Sequence, residues 1–221
     1  RSGLRATAGD RGMIRSEDEA RAFCAARADS DGLARLEQFA RLLAAENQKQ
    51  NLVSSASLSS VWQRHFADSA QLLDHVPRET DGAWLDLGSG AGFPGLVLAA
   101  LRPDRTMVLV ESRKRRVEWL RRAIDELALP NCSVVGARLE SVDSFSAGVI
   151  TARAFAPLGK LLNLSARFST QATVWLLPKG RSAAQELSEQ PLSIQQMFHV
   201  EHSQTDEGGG ILVGRGVPDL S

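Results

Sequence analysis

The sequence predicts an α/β fold in which a mostly parallel sheet is closed by a C-terminal antiparallel hairpin and preceded by an N-terminal helical extension. Three observations support this prediction. From residue 83 onward, short apolar runs alternate with helical patterns, which is typical of a parallel sheet covered by helices. A glycine-rich turn, residues 88–95, follows the first apolar run. Near the end, two strand patterns flank a polar, glycine-rich turn at residues 205–210, which indicates a hairpin.

The first third of the chain carries helical rather than strand patterns. Residues 17–27 and 32–47 are amphipathic, and in the second segment Leu36, Phe39 and Leu43 share one face. Ser57 is the expected N-cap of a third helix. We therefore expect a mobile tail over residues 1–16, a helical unit over 17–80 and a sheet domain over 81–221.

Five parallel strands are expected in the sheet domain, and the longest helix between them is expected at residues 114–128. The closing hairpin is expected to pair residues 197–202 with residues 211–215. The predicted parallel strands are residues 83–87, 106–110, 132–135, 148–151 and 173–177.

Composition restricts the class of protein. The chain has 221 residues, 43% of them hydrophobic, and a formal net charge of zero, so no global field attracts nucleic acid or a membrane. Two cysteines in a chain of this length indicate a reducing compartment. No apolar run approaches the ~18 residues that a membrane span needs. We expect a cytoplasmic protein without a membrane partner, and a monomer.

The glycine-rich turn is typical of a nucleotide-type cofactor site. Residues 90–95 match the dinucleotide pattern G-x-G-x-x-G, and Glu111 lies at about the expected distance of ~20 residues. A carboxylate at that place can accept hydrogen bonds from both hydroxyls of a ribose. An NAD(P)-dependent oxidoreductase is therefore one candidate.

Asp86 favours a different cofactor. It directly precedes the glycine-rich turn, where a carboxylate would repel a pyrophosphate at short range. S-adenosylmethionine has no phosphate and carries an ammonium and a sulfonium, both of which a carboxylate favours. Three glycines at alternate positions after Asp86, in a mostly parallel sheet closed by a hairpin, are typical of the class I S-adenosylmethionine-dependent methyltransferase (Rossmann-like) fold. We predict that fold and that cofactor, with the NAD(P)-dependent oxidoreductase as the alternative.

The sequence also narrows the methyl acceptor. Residues 151–157, after the fourth predicted strand, lack the Asn/Asp-Pro-Pro-aromatic loop that amino-group methylation usually requires. Neither Cys24 nor Cys132 is placed to act as the nucleophile for carbon methylation of a pyrimidine. A ring nitrogen such as purine N7 attacks directly, and then catalysis is mainly alignment. No metal site is expected.

Several motifs together are similar to the bacterial small-subunit ribosomal RNA guanine-N7 methyltransferases, also called glucose-inhibited division protein B. The resemblance runs from about Leu36 to Gly216. It departs from the family at Glu111, where Asp is usual, and at residues 46–49, where Trp-Asn-Lys is frequent. The motifs are Asn47-x-x-x-Asn51-Leu52, Arg64-His65-x-x-Asp68-Ser69, the segment from Asp86 to Gly95, Glu111-Ser112-x-Lys114-Arg115, Arg153-Ala154-Phe155, Pro178-Lys179-Gly180 and Met197 to His202.

The resemblance implies methyl transfer from S-adenosylmethionine to N7 of a guanine in the decoding-region (530) loop of 16S rRNA, within a 30S subunit or an assembly intermediate. Arg153 and Asp86 are the predicted catalytic residues. The predicted cofactor-binding residues are Gly88, Gly90, Phe93, Glu111, Ser112, Arg113, Leu139, Glu140 and Arg153.

Basic residues are concentrated in one part of the chain. Between residues 102 and 122 there are eight basic side chains against three acidic ones. Because RNA affinity depends strongly on contacts between cations and phosphates, this run is a candidate RNA-binding surface. The predicted RNA-binding residues are His65, Lys114, Arg115 and Lys179.

Overall fold

The computed structural model describes residues 12–220 and contains a seven-stranded sheet in the order β3-β2-β1-β4-β5-β7-β6. The first five strands are parallel, and β7 runs antiparallel to both β5 and β6. The predicted parallel sheet with a closing hairpin is confirmed. The strands are β1 (Ala83–Leu87), β2 (Met107–Val110), β3 (Cys132–Val135), β4 (Ala147–Ala152), β5 (Val174–Gly180), β6 (Phe198–His202) and β7 (Gly210–Arg215).

The strand order reverses between β1 and β4. β1 pairs with β2 on one side and with β4 on the other, and the connections lead away from it in both directions. In open parallel sheets a crevice for ligands forms at the carboxyl ends of the strands at such a reversal. The turn that follows Leu87 and the loop that follows Ala152 therefore face the same crevice.

Helices cover both faces of the sheet. Alternation along β1 separates the two layers, because Trp84 packs with α5 and α6 while Leu85 and Leu87 pack with α7 on the opposite face. The helices of the sheet region are α5 (Gly95–Leu101), α6 (Lys114–Glu126), α7 (Leu158–Ser165), α8 (Ala183–Ser188) and α9 (Leu192–Met197), with single 3₁₀ turns at Leu139–Ser141 and Ala166–Phe168.

The N-terminal part is helical, as predicted, but its third helix begins earlier and is irregular. Ser54 rather than Ser57 is the N-cap, because the Ser54 side chain accepts the Ser57 N–H at 3.2 Å. The elements are α1 (Glu17–Ala25), α2 (Gly32–Asn47), α3 (Ser55–Leu58), a π-helical segment (Trp62–Ala67), α4 (Asp68–Ala70) and a 3₁₀ helix (Gln71–His75).

The helical unit shares one apolar core with the sheet. Phe39 of α2 is fully buried and stacks on Phe66, Phe93 and Trp119, which belong to three different elements. The predicted tail also needs correction within the described residues. Ile14 is buried in the apolar cluster, and its N–H donates to Gln204 O, between β6 and β7, at 2.7 Å. Residues 1–11 of the predicted tail lie outside the described part.

Candidate active site

A cavity of about 530 Å³, here named the glycine-loop cavity, opens at the carboxyl ends of β1, β2 and β4. Its wall combines the turn after β1, the end of β2, the 3₁₀ turn after β3 and the loop after β4. All nine residues predicted to bind a cofactor line it. They are Gly88, Gly90, Phe93, Glu111, Ser112, Arg113, Leu139, Glu140 and Arg153.

Two glycines shape the floor of this cavity. Gly88 has φ +66° and Gly90 has φ +54°, the left-handed region that glycine adopts without steric cost. A Cβ on Gly88 would lie 2.6 Å from Cδ2 of Phe155, so the turn and the loop after β4 pack closely. A Cβ on Gly90 would meet only Gly88 O within 4 Å, so space is open above the turn. The backbone there can accept a ligand at close range.

Glu111 ends β2 and ties the cavity wall together. Its Oε2 accepts the Gly90 N–H at 3.0 Å, and its Oε1 accepts the N–H groups of Ser112 and Arg113 at 2.8 and 2.9 Å. A carboxylate offers about four lone-pair positions, so one acceptor position on Oε2 is left. The side chain is buried but belongs to the cavity lining, so this acceptor position is available to a hydroxyl group.

The structure corrects the predicted position of Asp86. Its side chain has no exposed surface, and it does not line either of the cavities at this edge of the sheet. Oδ1 accepts from Thr151 Oγ1 at 2.8 Å and Oδ2 accepts from Gly95 N at 3.2 Å. Burial raises the pKa of Asp86, and these hydrogen bonds oppose that rise. Asp86 therefore fixes the glycine turn to β4 from behind the cavity wall.

Arg153 follows β4 and forms part of the wall of two adjacent cavities. Its guanidinium lies 4.9 Å from the Phe93 ring centroid, and Nη1 is 3.4 Å from Asp68 Oδ2. Its Nη2 is 3.2 Å from His65 Nδ1. Burial lowers the pKa of Arg153 and Asp68 opposes this effect, so the group remains a cation held among aromatic and acidic partners.

His65 is a predicted RNA-binding residue, and the structure places it beside Arg153 and Phe93. It is buried, and its ring stacks on Phe93 with centroids 4.6 Å apart and planes 13° apart. Burial, together with the nearby cations Arg153 and Arg64, lowers its pKa to about 3. The imidazole is therefore neutral near pH 7 and cannot attract RNA as a cation.

The second cavity, here named the hairpin cavity, measures about 1010 Å³ and lies between the loop after β4 and the turn that joins β6 to β7. The two cavities share six lining residues, namely Leu52, Val53 and Arg153 to Ala156. Lys179 lines the hairpin cavity but is not free for RNA as predicted. Its side chain is 8% exposed, and its Nζ bonds Ala156 O at 2.7 Å and Glu186 Oε2 at 2.9 Å.

Lys114 and Arg115 lie where an RNA contact is possible. Both are exposed at the start of α6, where α6 has no side-chain cap and no acidic residue in its first turn. Together with Arg113, Arg116 and the loop at residues 48–51 they border a depression of about 600 Å³, here named the α6 basic patch. Arg115 also donates to Lys49 O at 3.0 Å, which holds this loop on the patch.

Some residues of the site were not predicted from the sequence. Arg64 is exposed at the hairpin cavity, and Phe155 fills the space over Gly88. Both belong to motifs that the sequence displays, beside His65 and Arg153. Only their position beside His65 and Arg153 could have indicated them, because a surface arginine or a loop phenylalanine does not belong to a recognisable sequence pattern by itself.

Two further findings concern the part of the chain that the structure describes. Over residues 12–220, no group of three or more His, Cys, Asp or Glu side chains is arranged to hold a metal ion. No helix in this range has the length and apolarity needed to cross a membrane.

The fold is the class I S-adenosylmethionine-dependent methyltransferase (Rossmann-like) fold. The fold is similar to that of a mutant of MtNAS solved with S-adenosylmethionine, with a TM-score of 0.54 and 15% identity over 90% of this chain and 77% of that one. It is also similar to an RNA methyltransferase from Salinibacter ruber solved with S-adenosyl-L-homocysteine, with a TM-score of 0.51 and 16% identity over 69% of this chain and 92% of that one.

Sequence comparison identifies the family. The model of GidB, described as rRNA small subunit methyltransferase G, matches residues 32–209. Proteins named Ribosomal RNA small subunit methyltransferase G from Erythrobacter litoralis (strain HTCC2594) and Novosphingobium aromaticivorans are 62% and 56% identical, covering 92% and 85% of this chain and 98% and 82% of theirs. The chain belongs to the rRNA small subunit methyltransferase G family.

Proposed function

We propose that this protein transfers a methyl group from S-adenosylmethionine to N7 of a guanine in the decoding-region loop of 16S rRNA, within a 30S subunit or an assembly intermediate. The observation that carries the proposal is the junction of two cavities at Arg153. The glycine-loop cavity has the features of a nucleoside site, and the hairpin cavity is open to a large acceptor. The family name supports small-subunit rRNA as the acceptor.

The residues of the glycine-loop cavity fit S-adenosylmethionine. The free acceptor position of Glu111 suits a ribose hydroxyl, and Leu139 and Glu140 lie where they can flank the adenine. The open space above Gly90 admits a ligand to the backbone, and Phe93 forms an apolar wall on the methionine side.

The protein's part in the chemistry is mainly alignment. When bound, S-adenosylmethionine supplies a methyl group on a cationic sulfonium, and its transfer to N7 leaves a thioether and a positively charged purine. N7 carries a lone pair and loses no proton, so no general base is required. Arg153 lies between the two cavities and can donate to an acceptor atom of the base such as O6. Holding the base and the methyl group in line accounts for most of the acceleration.

The alternative function, an NAD(P)-dependent oxidoreductase, is not supported, because the chain belongs to a methyltransferase family. Asp86 has an indirect role in the proposed function. Its carboxylate acts behind the turn, where it holds Gly95 N and Thr151, rather than by direct contact with a cation.

Calorimetric titration with S-adenosyl-L-homocysteine, with NADH as the control, tests the cofactor. We expect binding of the first compound only. The acceptor is tested by incubating the protein and S-adenosylmethionine with 30S subunits that lack the modification, and with naked 16S rRNA. N7-methylguanine is then located by borohydride and aniline cleavage. Strand scission at a guanine of the decoding-region loop is expected, and methylation only at other sites, or none, contradicts the proposal.

A further inference from the structure

Asp68 lies at the centre of a hydrogen-bond network that joins three parts of the fold. Its Oδ1 accepts from Thr205 Oγ1 at 2.7 Å and from Gln71 Nε2 at 3.0 Å. Its Oδ2 faces Arg153 Nη1 at 3.4 Å. Asp68 begins α4, Arg153 follows β4, and Thr205 lies in the turn between β6 and β7. The carboxylate therefore connects the helical unit, the sheet edge and the C-terminal hairpin.

The hairpin side of this network is buried and well connected. Gln71 has no exposed surface, and it accepts from Gln204 N at 2.8 Å while donating to Ser203 Oγ at 3.2 Å. Ser203 Oγ and Thr205 Oγ1 are 3.0 Å apart. Because each of these polar groups has a partner, the turn holds Asp68 Oδ1 in one place.

On the Arg153 side of the network, the donor and the acceptor of each hydrogen bond are determined. A guanidinium can only donate, so His65 Nδ1, 3.2 Å from Arg153 Nη2, must accept. Neutral His65 then carries its proton on Nε2. Arg153 is thus held at one terminal nitrogen by an anion and at the other by a neutral imidazole, with the Phe93 ring beneath it. Its remaining N–H groups are available to the cavities.

We propose that Asp68 is a positioning residue, through which the turn of the C-terminal hairpin holds the Arg153 guanidinium in the orientation that the acceptor base requires. The proposal rests on the proposed function of the site. Asp68 itself touches no cofactor in this arrangement, since it lines the hairpin cavity and not the glycine-loop cavity. Its loss should therefore slow transfer and leave cofactor affinity unchanged.

The primary test is Asp68→Asn, assayed for methyl transfer to 30S subunits with S-adenosylmethionine varied. The amide keeps the shape but removes the charge that orients Arg153. We expect kcat to fall at least 10-fold, while KM for S-adenosylmethionine and Kd for S-adenosyl-L-homocysteine stay within about 2-fold of wild type. A wild-type kcat overturns the proposal, and so does a loss of cofactor affinity that matches the loss of rate.

Asp74→Asn is the matched control. Asp74 pairs with Arg27 at 2.8 Å, and the two side chains are 17% and 22% exposed, close to the 21% and 23% of Asp68 and Arg153. It lies outside both cavities at the sheet edge. This variant loses an ion pair of the same burial in the adjoining 3₁₀ helix, together with a 3.5 Å contact from Gln204 Nε2. It should keep the wild-type kcat, and an equal fall in both variants would mean that Asp68 only supports the fold.

Chemical rescue separates positioning from a structural role. Arg153→Ala removes the guanidinium, and millimolar methylguanidine should restore part of its activity if Asp68 still provides the anchor. In the double variant Arg153→Ala and Asp68→Asn this rescue should be lost. Equal rescue in both backgrounds contradicts the proposal. Wild-type protein that methylates no rRNA would instead contradict the proposed function, so the two failures are distinguishable.

Thr205→Val tests the link to the hairpin without altering any charge. The valine keeps the size of the side chain and removes the donor to Asp68 Oδ1. We expect a smaller fall in kcat than in Asp68→Asn, again with unchanged cofactor affinity. If Asp68→Asn fails to fold, this variant decides the question, and a wild-type kcat then overturns the proposal.

Discussion

At the residue scale, the Glu111 carboxylate accepts three backbone N–H groups and keeps one acceptor position toward the glycine-loop cavity. Glutamine keeps one oxygen as an acceptor, but its NH₂ group replaces the other oxygen and would face a backbone N–H, so two donors would meet. Since a hydrogen bond to a charged group contributes about 1.5–3 kcal/mol, Glu111→Gln should weaken S-adenosyl-L-homocysteine binding at least ~10-fold. Calorimetry measures this effect, with Glu118→Gln as a control. Glu118 is exposed on α6 and lines neither cavity, so its affinity should be unchanged, and an equal loss at both positions would contradict the assignment.

His65 makes stability depend on pH. Burial, together with Arg153 and Arg64, lowers its pKa to about 3 in the fold, below the usual value of 6.5. Its contribution is therefore complete above pH 6.5 and is lost as the pH falls toward 3, because the unfolded chain binds the proton first. Acidification from pH 7 to pH 5 should lower the free energy of unfolding by about 2 kcal/mol through His65 alone.

Urea unfolding of wild type and His65→Gln at the two pH values measures this contribution. The variant should lose about 2 kcal/mol less than wild type on acidification. His199→Gln is the control, because that side chain is 63% exposed, and it should behave as wild type. Equal pH dependence in wild type and His65→Gln would show that His65 is protonated in the fold.

At the element scale, α6 ends in a Schellman motif with an alanine where glycine is usual. Leu129 N–H donates to Ile124 O, and Ala128 N–H donates to Asp125 O, both at 3.1 Å. Ala128 has φ +49° and is exposed. At such a backbone conformation, an L-residue with a side chain destabilises the fold by about 1–2 kcal/mol relative to glycine. Glycine offsets part of this gain, because it has a larger backbone entropy in the unfolded chain.

Ala128→Gly should therefore raise the free energy of unfolding by about 0.5–1 kcal/mol. Chemical denaturation measures the change, and methyl-transfer activity should stay at the wild-type level because Ala128 lines neither cavity. Ala123→Gly is the opposite control, since Ala123 is buried inside α6 and glycine is unfavourable there. A destabilised Ala128→Gly variant would contradict this interpretation of the helix end.

The elements themselves were largely predictable from the sequence, whereas the roles of single polar groups were not. Apolar runs and the glycine pattern placed all seven strands to within a few residues, because burial imposes a local period on the sequence. The partners of Asp86, His65 and Lys179 come from segments distant in sequence, namely Thr151, Arg153 and Ala156. No local pattern records such pairings, so the sequence predicted exposed or ligand-facing groups where the fold buries them.

At the scale of the whole molecule, the helical unit and the sheet domain share one apolar core. One apolar cluster contains residues from Ile14 to Val213, and it includes α2, α5, α6 and strand side chains. Phe39 is its aromatic centre, with ring centroids 5.3 Å from Phe93 of the glycine turn and 6.3 Å from Trp119 of α6. Packing of α2 therefore supports the floor of the glycine-loop cavity.

This packing predicts that residues 17–80 and 81–221 unfold together. Native-state hydrogen exchange followed by mass spectrometry should give α2 and β1 the same opening free energy, equal to that of global unfolding. Phe39→Ala should lower both by about 3–5 kcal/mol, because it leaves a cavity between the two parts. Leu192→Ala is the control, since Leu192 is 73% exposed and its loss should leave both values unchanged. If α2 opens at a clearly lower free energy than β1, or if Phe39→Ala lowers α2 alone, then the helical unit is an independent domain that only docks on the sheet.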